Sequence, residues 1–239
     1  MKVLELFAGS RSIGKVAEAQ DHDVISVDIN DFDGIDLVMD IQHLQLSDIP
    51  FVPDMIWASP PCTTYSIAAV SHHRNQQKPK TEFAKKSDAL NIHVLSLIAQ
   101  TLDLNPAAVF YIENPRGMMR KMDFMQGIPR TTITYCSYGD DRMKPTDIWS
   151  NNIRSIFNPA GWQPRAMCFN GNRNCHHQPA PRGSSTGTQG KKNNYERSKL
   201  PPQLCNDVVH SAANRNMIDE TTNALDPVVA SLWRYILTD

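Results

Sequence analysis

Lys2-Val3-Leu4-Glu5-Leu6-Phe7-Ala8-Gly9-Ser10-Arg11-Ser12-Ile13-Gly14 opens the chain, and its reading decides the fold. An apolar run, Lys2 to Phe7, stops at Ala8-Gly9-Ser10. A polar–apolar stretch of helical character, Arg11 to Ala19, follows, and a second apolar run, Val24 to Val27, ends at Asp28. Strand, turn, helix and a strand ending in an acid form the opening unit of a doubly wound α/β domain. The glycine turn lets a ligand approach the backbone closely, and the helix N-terminus behind it can face an anionic group. An acid about 20 residues beyond such a turn can accept hydrogen bonds from ribose hydroxyls. The pattern Phe7-x-Gly9-x-x-x-x-Gly14 is not the Gly-x-Gly-x-x-Gly dinucleotide fingerprint, which argues against a Rossmann-type dehydrogenase. A plain βα turn with a structural glycine also fits this segment taken alone.

Outward from this unit, Met55-Ile56-Trp57-Ala58 is a short buried strand stopped by Ser59-Pro60-Pro61. Ser87 to Leu102 carries apolar residues at 90, 94, 97, 98 and 102, the period of a helix. Ala107 to Ile112 is a strand closed by Glu113-Asn114-Pro115-Arg116-Gly117, and β-branched Thr131 to Tyr135 is another. Strands separated by helices favour a parallel sheet. Beyond Asn151 the texture changes: residues 158–202 are rich in Pro, Gly, Asn, Ser and basic side chains, and Arg182 to Lys192 reads as a loop. Gln203 to Ala213 and Pro227 to Ile236 read as two closing helices.

The 239 residues suffice for a sizeable core without staples. Lys plus Arg (24) balance Asp plus Glu (25), which excludes a uniformly basic nucleic-acid coat but leaves room for a local basic groove. No run approaches the 18 or so apolar residues of a membrane span. Five cysteines behind no secretory signal point to a reducing, cytoplasmic setting, where cysteine is catalytic or metal-binding more often than bridged. A monomer is expected.

Two segments carry chemistry. In Ser59-Pro60-Pro61-Cys62 the prolines fix the backbone and remove two N–H donors just past a strand. They present Cys62 at the carboxyl edge of the sheet, where open α/β folds bind ligands. A thiol there can be a nucleophile; a free cysteine can also be a small buried hydrophobe. Glu113, directly after another strand, belongs on the same edge as an acid able to donate or accept a hydrogen bond, or else as a turn carboxylate.

Taken together, these segments resemble the DNA cytosine-5 methyltransferases, above all phage-encoded members. Leu6-Phe7-Ala8-Gly9 resembles the family's first cofactor motif, Ser59-Pro60-Pro61-Cys62 its nucleophile motif and Ile112-Glu113-Asn114-Pro115 its Glu-Asn-Val. Arg197-Ser198-Lys199-Leu200-Pro201-Pro202 resembles its last motif, and the stretch Lys144 to Trp149 resembles phage-encoded members. The resemblance implies a Rossmann-like, mostly parallel sheet of the S-adenosylmethionine-dependent methyltransferase fold. Residues 1–150 would be the catalytic domain, 151–196 a short target-recognition insert, and 197–239 helices completing the catalytic domain. It implies methyl transfer to carbon 5 of a flipped-out cytosine in double-stranded DNA, with Cys62 adding to the ring, Glu113 holding it and Arg142 as the nearest basic partner. S-adenosylmethionine would lie against Phe7, Ala8, Gly9, Asp28, Ile29, Asp40, Ile41 and Pro60. Two alternatives stay open: methylation of cytosine in RNA, and a catalytically impaired DNA-binding protein that kept the fold. The sequence departs from the family at Arg11 and Pro115 and lacks a clear Gln-x-Arg-x-Arg.

The basic stretch His72 to Lys80 with Lys85 and Lys86 is either a loop that closes over DNA or a solvated surface. Arg182, Lys191, Lys192, Arg197 and Lys199 form a second basic cluster with the same two readings. Cys136, Cys168, Cys175 and His176 offer three thiols and an imidazole, a set that suits a structural zinc ion, or are unrelated reduced residues. His176 is taken before His177 by similarity to a Cys-His step in phage sequences.

Overall fold

A computed structural model describes residues 1–156, 158–178 and 194–216. In chain order its regular elements are β1 (Lys2–Leu6), α1 (Ser12–Glu18), β2 (Asp23–Asp28), β3 (Leu37–Val38), β4 (Met55–Ala58), α2 (Val70–His73), β5 (Arg74–Asn75), β6 (Lys78–Pro79) and α3 (Glu82–Leu104). They continue with β7 (Val109–Pro115), β8 (Arg130–Thr134), β9 (Pro145–Ser150), α4 (Asn194–Ser198) and α5 (Pro202–Asn216). Seven strands form one sheet in the order β3-β2-β1-β4-β7-β9-β8. The first five pair in parallel, with β1 at the switch point between β2 and β4.

Period-two alternation sorts the side chains of the central strands into two layers. Leu4, Ile56, Phe110 and Ile112 face the layer covered by α3. Val3, Met55, Trp57, Val109 and Tyr111 face the layer covered by α1 and α5. Both faces are apolar because both are covered, the arrangement that parallel sheets require. Helix α3 starts at Thr81, whose hydroxyl accepts the Ala84 N–H (3.2 Å). It therefore includes Lys85 and Lys86, which the sequence reading left in an unpatterned stretch. Pro202 opens α5, a position where its missing N–H costs nothing. That helix buries Leu204, Val208 and Val209 in the second layer, each worth roughly 1.5–3 kcal/mol of transfer free energy. The Pro227–Ile236 pattern and the Arg182–Lys192 loop lie outside the described residues.

In the seven-stranded sheet, β9 is a strand that sequence reading passed over. It lies antiparallel between β7 and β8, with Pro145 opposite Thr134 and Thr146 opposite Pro115. Its polar composition hid it. Thr146, Asp147 and Ser150 are buried, and Asp147 is matched by Arg120, by Arg130 (3.2 Å) and by the Thr132 hydroxyl (2.7 Å). Charge that would argue against a buried strand is thus neutralised across the sheet. Between 163 and 178 the chain forms no helix or strand. Trp162, just before it, is buried edge-on against Tyr111, with ring centroids 6.0 Å apart. Among the described residues no helix is long and apolar enough to cross a membrane.

Candidate active site

Strand β4 ends where the Pro60-Pro61-Cys62 segment begins, and that segment is pinned from two sides. On one side, Asn114 at the end of β7 is fully buried and donates its amide to the Pro60 carbonyl (2.9 Å). Met118 N–H donates to the Tyr65 carbonyl (2.7 Å). Residue 117 must be glycine for this clasp, since a Cβ there would stand 2.4 Å from the Tyr65 oxygen. On the other side, Arg74 donates to the Thr64 carbonyl (3.0 Å), stacks over the Tyr65 ring (4.3 Å) and pairs with Asp88 of α3 (3.0 Å). Arg74 is only 3% exposed. The basic stretch after Cys62 is therefore α2 plus the β5–β6 hairpin, and its arginine is an internal anchor that cannot contact a phosphate.

A single cavity of about 670 Å³ runs along the carboxyl edge of the sheet. Its lining includes Phe7, Ala8, Trp57, Ser59 and Pro60, the neighbouring group Cys62, Glu113 and Lys144, and Pro145, Arg197, Ser198 and Leu200. This volume lies within the range of small-molecule sites. Glu113 is buried, and its Oε1 accepts the Tyr135 hydroxyl (3.0 Å). Lys144 Nζ lies 3.8 Å from the same oxygen and donates to the Tyr135 oxygen (3.2 Å). Burial, then the negative charge of Glu113, pushes the Cys62 thiol above its ordinary pKa, while Lys144 and Arg197 pull it down. Two residues of this cluster, Tyr135 and Lys144, were not singled out from sequence. No spacing in the sequence signals them: Lys144 has left-handed backbone (φ 28°) just before β9, so strand alternation does not place its side chain.

Arg142 reaches the cavity wall, but its donors are committed. Its guanidinium pairs with Asp140 and donates to the backbone carbonyls of Arg197 (3.0 Å) and Lys199 (3.1 Å). It ties the 197–200 segment to the cavity that it also lines. Leu200 N–H completes that attachment on the Ser12 hydroxyl (3.2 Å).

The turn after β1 takes left-handed backbone at Phe7, Gly9 and Arg11 (φ 57, 50 and 54°). The side chain of Arg11 turns away from the ligand space, to Ser26 Oγ (3.0 Å) and to Glu18. Below the turn Glu5 accepts the N–H groups of Ile13 (2.9 Å) and Gly14 (3.0 Å). A Cβ at Gly14 would meet the Glu5 carboxylate at 2.7 Å, which explains the second glycine of the motif. Burial raises the Glu5 carboxyl to about 7 against these hydrogen bonds. Asp28 stands at the end of β2, accepting Gly9 N–H (3.0 Å) and the backbone N–H of Asn30 (2.9 Å), with Ile29 63% exposed beside it. Gly9, Asp28, Ile29, Asp40 and Ile41 lie outside the cavity lining. Asp40 accepts the Gln42 N–H (3.0 Å), and the Ile41 side chain is spent in the core.

Away from the cavity, the ligand atoms of Cys136, Cys168, Cys175 and His177 all lie within 4.8 Å of one another. The histidine of this group is His177. His176, favoured in the sequence reading, is exposed; adjacent residues of an extended segment point to opposite sides, so only one can turn inward.

No family model matches the chain. A probable DNA (cytosine-5)-methyltransferase of Frog virus 3 (isolate Goorha) is 26% identical over 155 residues, 63% of this chain and 71% of that protein. Among solved structures, a putative DNA modification methyltransferase of an E. coli prophage aligns over 63% of this chain and 46% of its own, at 15% identity and a TM-score of 0.44. The Entamoeba histolytica methyltransferase EhMeth aligns over 63% of this chain and 52% of its own, at 15% identity and a TM-score of 0.45. The chain thus spans about half the length of these solved structures. Over that shared stretch the chain is thus similar to a curated viral protein described as a probable DNA (cytosine-5)-methyltransferase.

Proposed function

We propose that the chain transfers a methyl group from S-adenosylmethionine to carbon 5 of cytosine in double-stranded DNA. The observation that carries this reading is one cavity lined both by Cys62 and Glu113 and by Phe7, Ala8 and Ser10 of the turn after β1. The residues present fit the cofactor: an apolar slot beside Trp57 and Pro60, the turn residues Phe7 and Ala8 in the lining, and a carboxylate, Asp28, outside the lining at the end of the neighbouring strand. When bound, S-adenosylmethionine supplies an electrophilic methyl group on a sulfonium.

Carbon 5 of cytosine is a poor nucleophile, and the chain's own groups correct this. The Cys62 sulfur adds to carbon 6, which raises the electron density at carbon 5. Glu113 holds N3 and the exocyclic amine, favouring the adduct, and Tyr135 and Lys144 fix the carboxyl that does so. After methylation, the carbon-5 proton passes to water, the carbon-6–sulfur bond breaks with Cys62 leaving as thiolate, and the ring double bond is restored. The thiol is more basic than an exposed cysteine, so the positive charges of Lys144 and Arg197 favour the ionised sulfur against Glu113. A base stacked in a duplex reaches this cavity only when flipped out, at a cost of a few kcal/mol. Residues 151–196 are the segment available for target recognition.

The test is labelled methyl transfer from S-adenosylmethionine to cytosine-containing duplex DNA, with RNA of the same sequence in parallel. The expected result is label in DNA that Cys62→Ala abolishes, and a covalent adduct with 5-fluorocytosine DNA in the parent alone. Transfer to RNA only, or cofactor binding without transfer or adduct, overturns the proposal.

A further inference from the structure

We infer that Cys136, Cys168, Cys175 and His177 bind one zinc ion, and that this ion fastens the irregular insert to the connection between β8 and β9. Three of the five cysteines converge here, although 39 positions separate Cys136 from Cys175. The other two are accounted for elsewhere: Cys62 lines the cavity and Cys205 packs in the α5 layer. A tetrahedral zinc ion with ordinary bond lengths sets sulfur–nitrogen edges of about 3.6 Å and sulfur–sulfur edges of about 3.8 Å. His177 Nδ1 stands 3.5 Å from Cys168 Sγ and 3.1 Å from Cys175 Sγ, and no pair of ligand atoms exceeds 4.8 Å. The four atoms therefore need to move by only a few tenths of an ångström to about an ångström to surround an ion. Three thiolates and an imidazole form a closed soft set, the donor class that selects zinc and leaves no position for substrate. On binding, the three thiols release their protons to solvent.

The surroundings support a built site. The ligands sit between backbone clamps that already join the two segments. Ser137 donates to the Ala166 carbonyl (2.8 Å), Cys168 N–H to Thr134 Oγ1 (2.8 Å), and Gln178 N–H to the Asp141 carbonyl (2.8 Å). The Asn172 side-chain amide donates to Cys168 Sγ (3.3 Å), the outer contact that steadies a metal-bound thiolate. With no helix or strand between 163 and 178, the segment has little core of its own, the circumstance in which a metal staple contributes most. Asn170, inside the Cys168–Cys175 loop, lines the cavity, so the ion also fixes part of that wall.

The experiment uses the full chain, purified without an immobilised-metal step, and reads metal content by mass spectrometry. The expected result is one zinc per chain in the parent and in His176→Asn, falling below about a tenth in Cys175→Ser and His177→Asn. Should those variants fail to fold, the parent alone decides. Replacing its metal with cobalt(II) should give the thiolate-to-cobalt absorption of a tetrahedral site. Zinc-free parent that takes up neither zinc nor cobalt, zinc retained in Cys175→Ser and His177→Asn, or a parent mass lower by two hydrogens through a Cys168–Cys175 disulfide would overturn the inference. None of these readouts depends on the reaction proposed above.

Discussion

Tyr135→Phe removes one oxygen from the candidate site and little else. The ring that packs against Lys144 (4.4 Å) and Arg142 (5.5 Å) remains, and so does the apolar layer behind it. What disappears is the hydroxyl that donates to Glu113 at 3.0 Å and receives Lys144 at 3.2 Å. A hydrogen bond to an ionised group is worth about 1.5–3 kcal/mol. If its purpose is to aim Glu113 at the cytosine, that energy is lost in the transition state and the turnover rate falls about 10- to 150-fold. Because the residues proposed to hold the cofactor are untouched, the KM for S-adenosylmethionine should stay within about twofold. The assay is single-turnover methyl transfer across pH 6–9, with thermal unfolding of the same samples as a control for packing. A variant that turns over at the parental rate, or one whose loss is wholly explained by a smaller folded fraction, refutes the assignment of Tyr135 as a positioning residue.

Alkylation of Cys62 by iodoacetamide, followed by mass spectrometry, should rise with pH through a midpoint above that of an exposed cysteine. Glu113→Gln should move that midpoint down and Lys144→Met should move it up, and no movement in either contradicts the charge reading. Arg74→Met should cost about 3–5 kcal/mol in denaturant unfolding by leaving the Asp88 carboxylate without its counter-charge, only the Tyr65 hydroxyl remaining on it, yet leave the salt dependence of DNA binding unchanged. A reduced salt slope would return Arg74 to the DNA surface. Glu5 holds its proton more tightly folded than unfolded, so its contribution to stability is complete below about pH 4.5 and fades as pH rises through about 7. The stability of the parent relative to Glu5→Gln should therefore drop by about 3 kcal/mol between pH 4.5 and 8, and a pH-independent difference speaks against it.

The doubly wound sheet was legible because its early strands are short apolar runs ended by glycine, proline or an acid. Cys62 and Glu113 were legible because each directly follows such a run. What was not legible depended on partners remote in sequence. Asp147 makes β9 look polar until Arg120 and Arg130 cancel its charge from neighbouring segments. Arg74 looks like a surface cation until Asp88, fourteen residues on, faces it from α3. The choice between His176 and His177 turned on which of two adjacent rings the backbone rotates inward, and spacing holds no information about that.

The reversed direction of β9 has a consequence for how such a site can change. Because this strand begins where its neighbour β7 ends, the chain delivers Lys144 and Pro145 alongside Glu113 and Pro115 without any loop having to reach across the molecule. The side chain presented just upstream of its first position can therefore be exchanged or recharged while the ladder below keeps its register. A catalytic edge assembled by opposed strand ends is, in this sense, separately adjustable: the framework stays fixed and the cation presented to the carboxylate becomes a local choice.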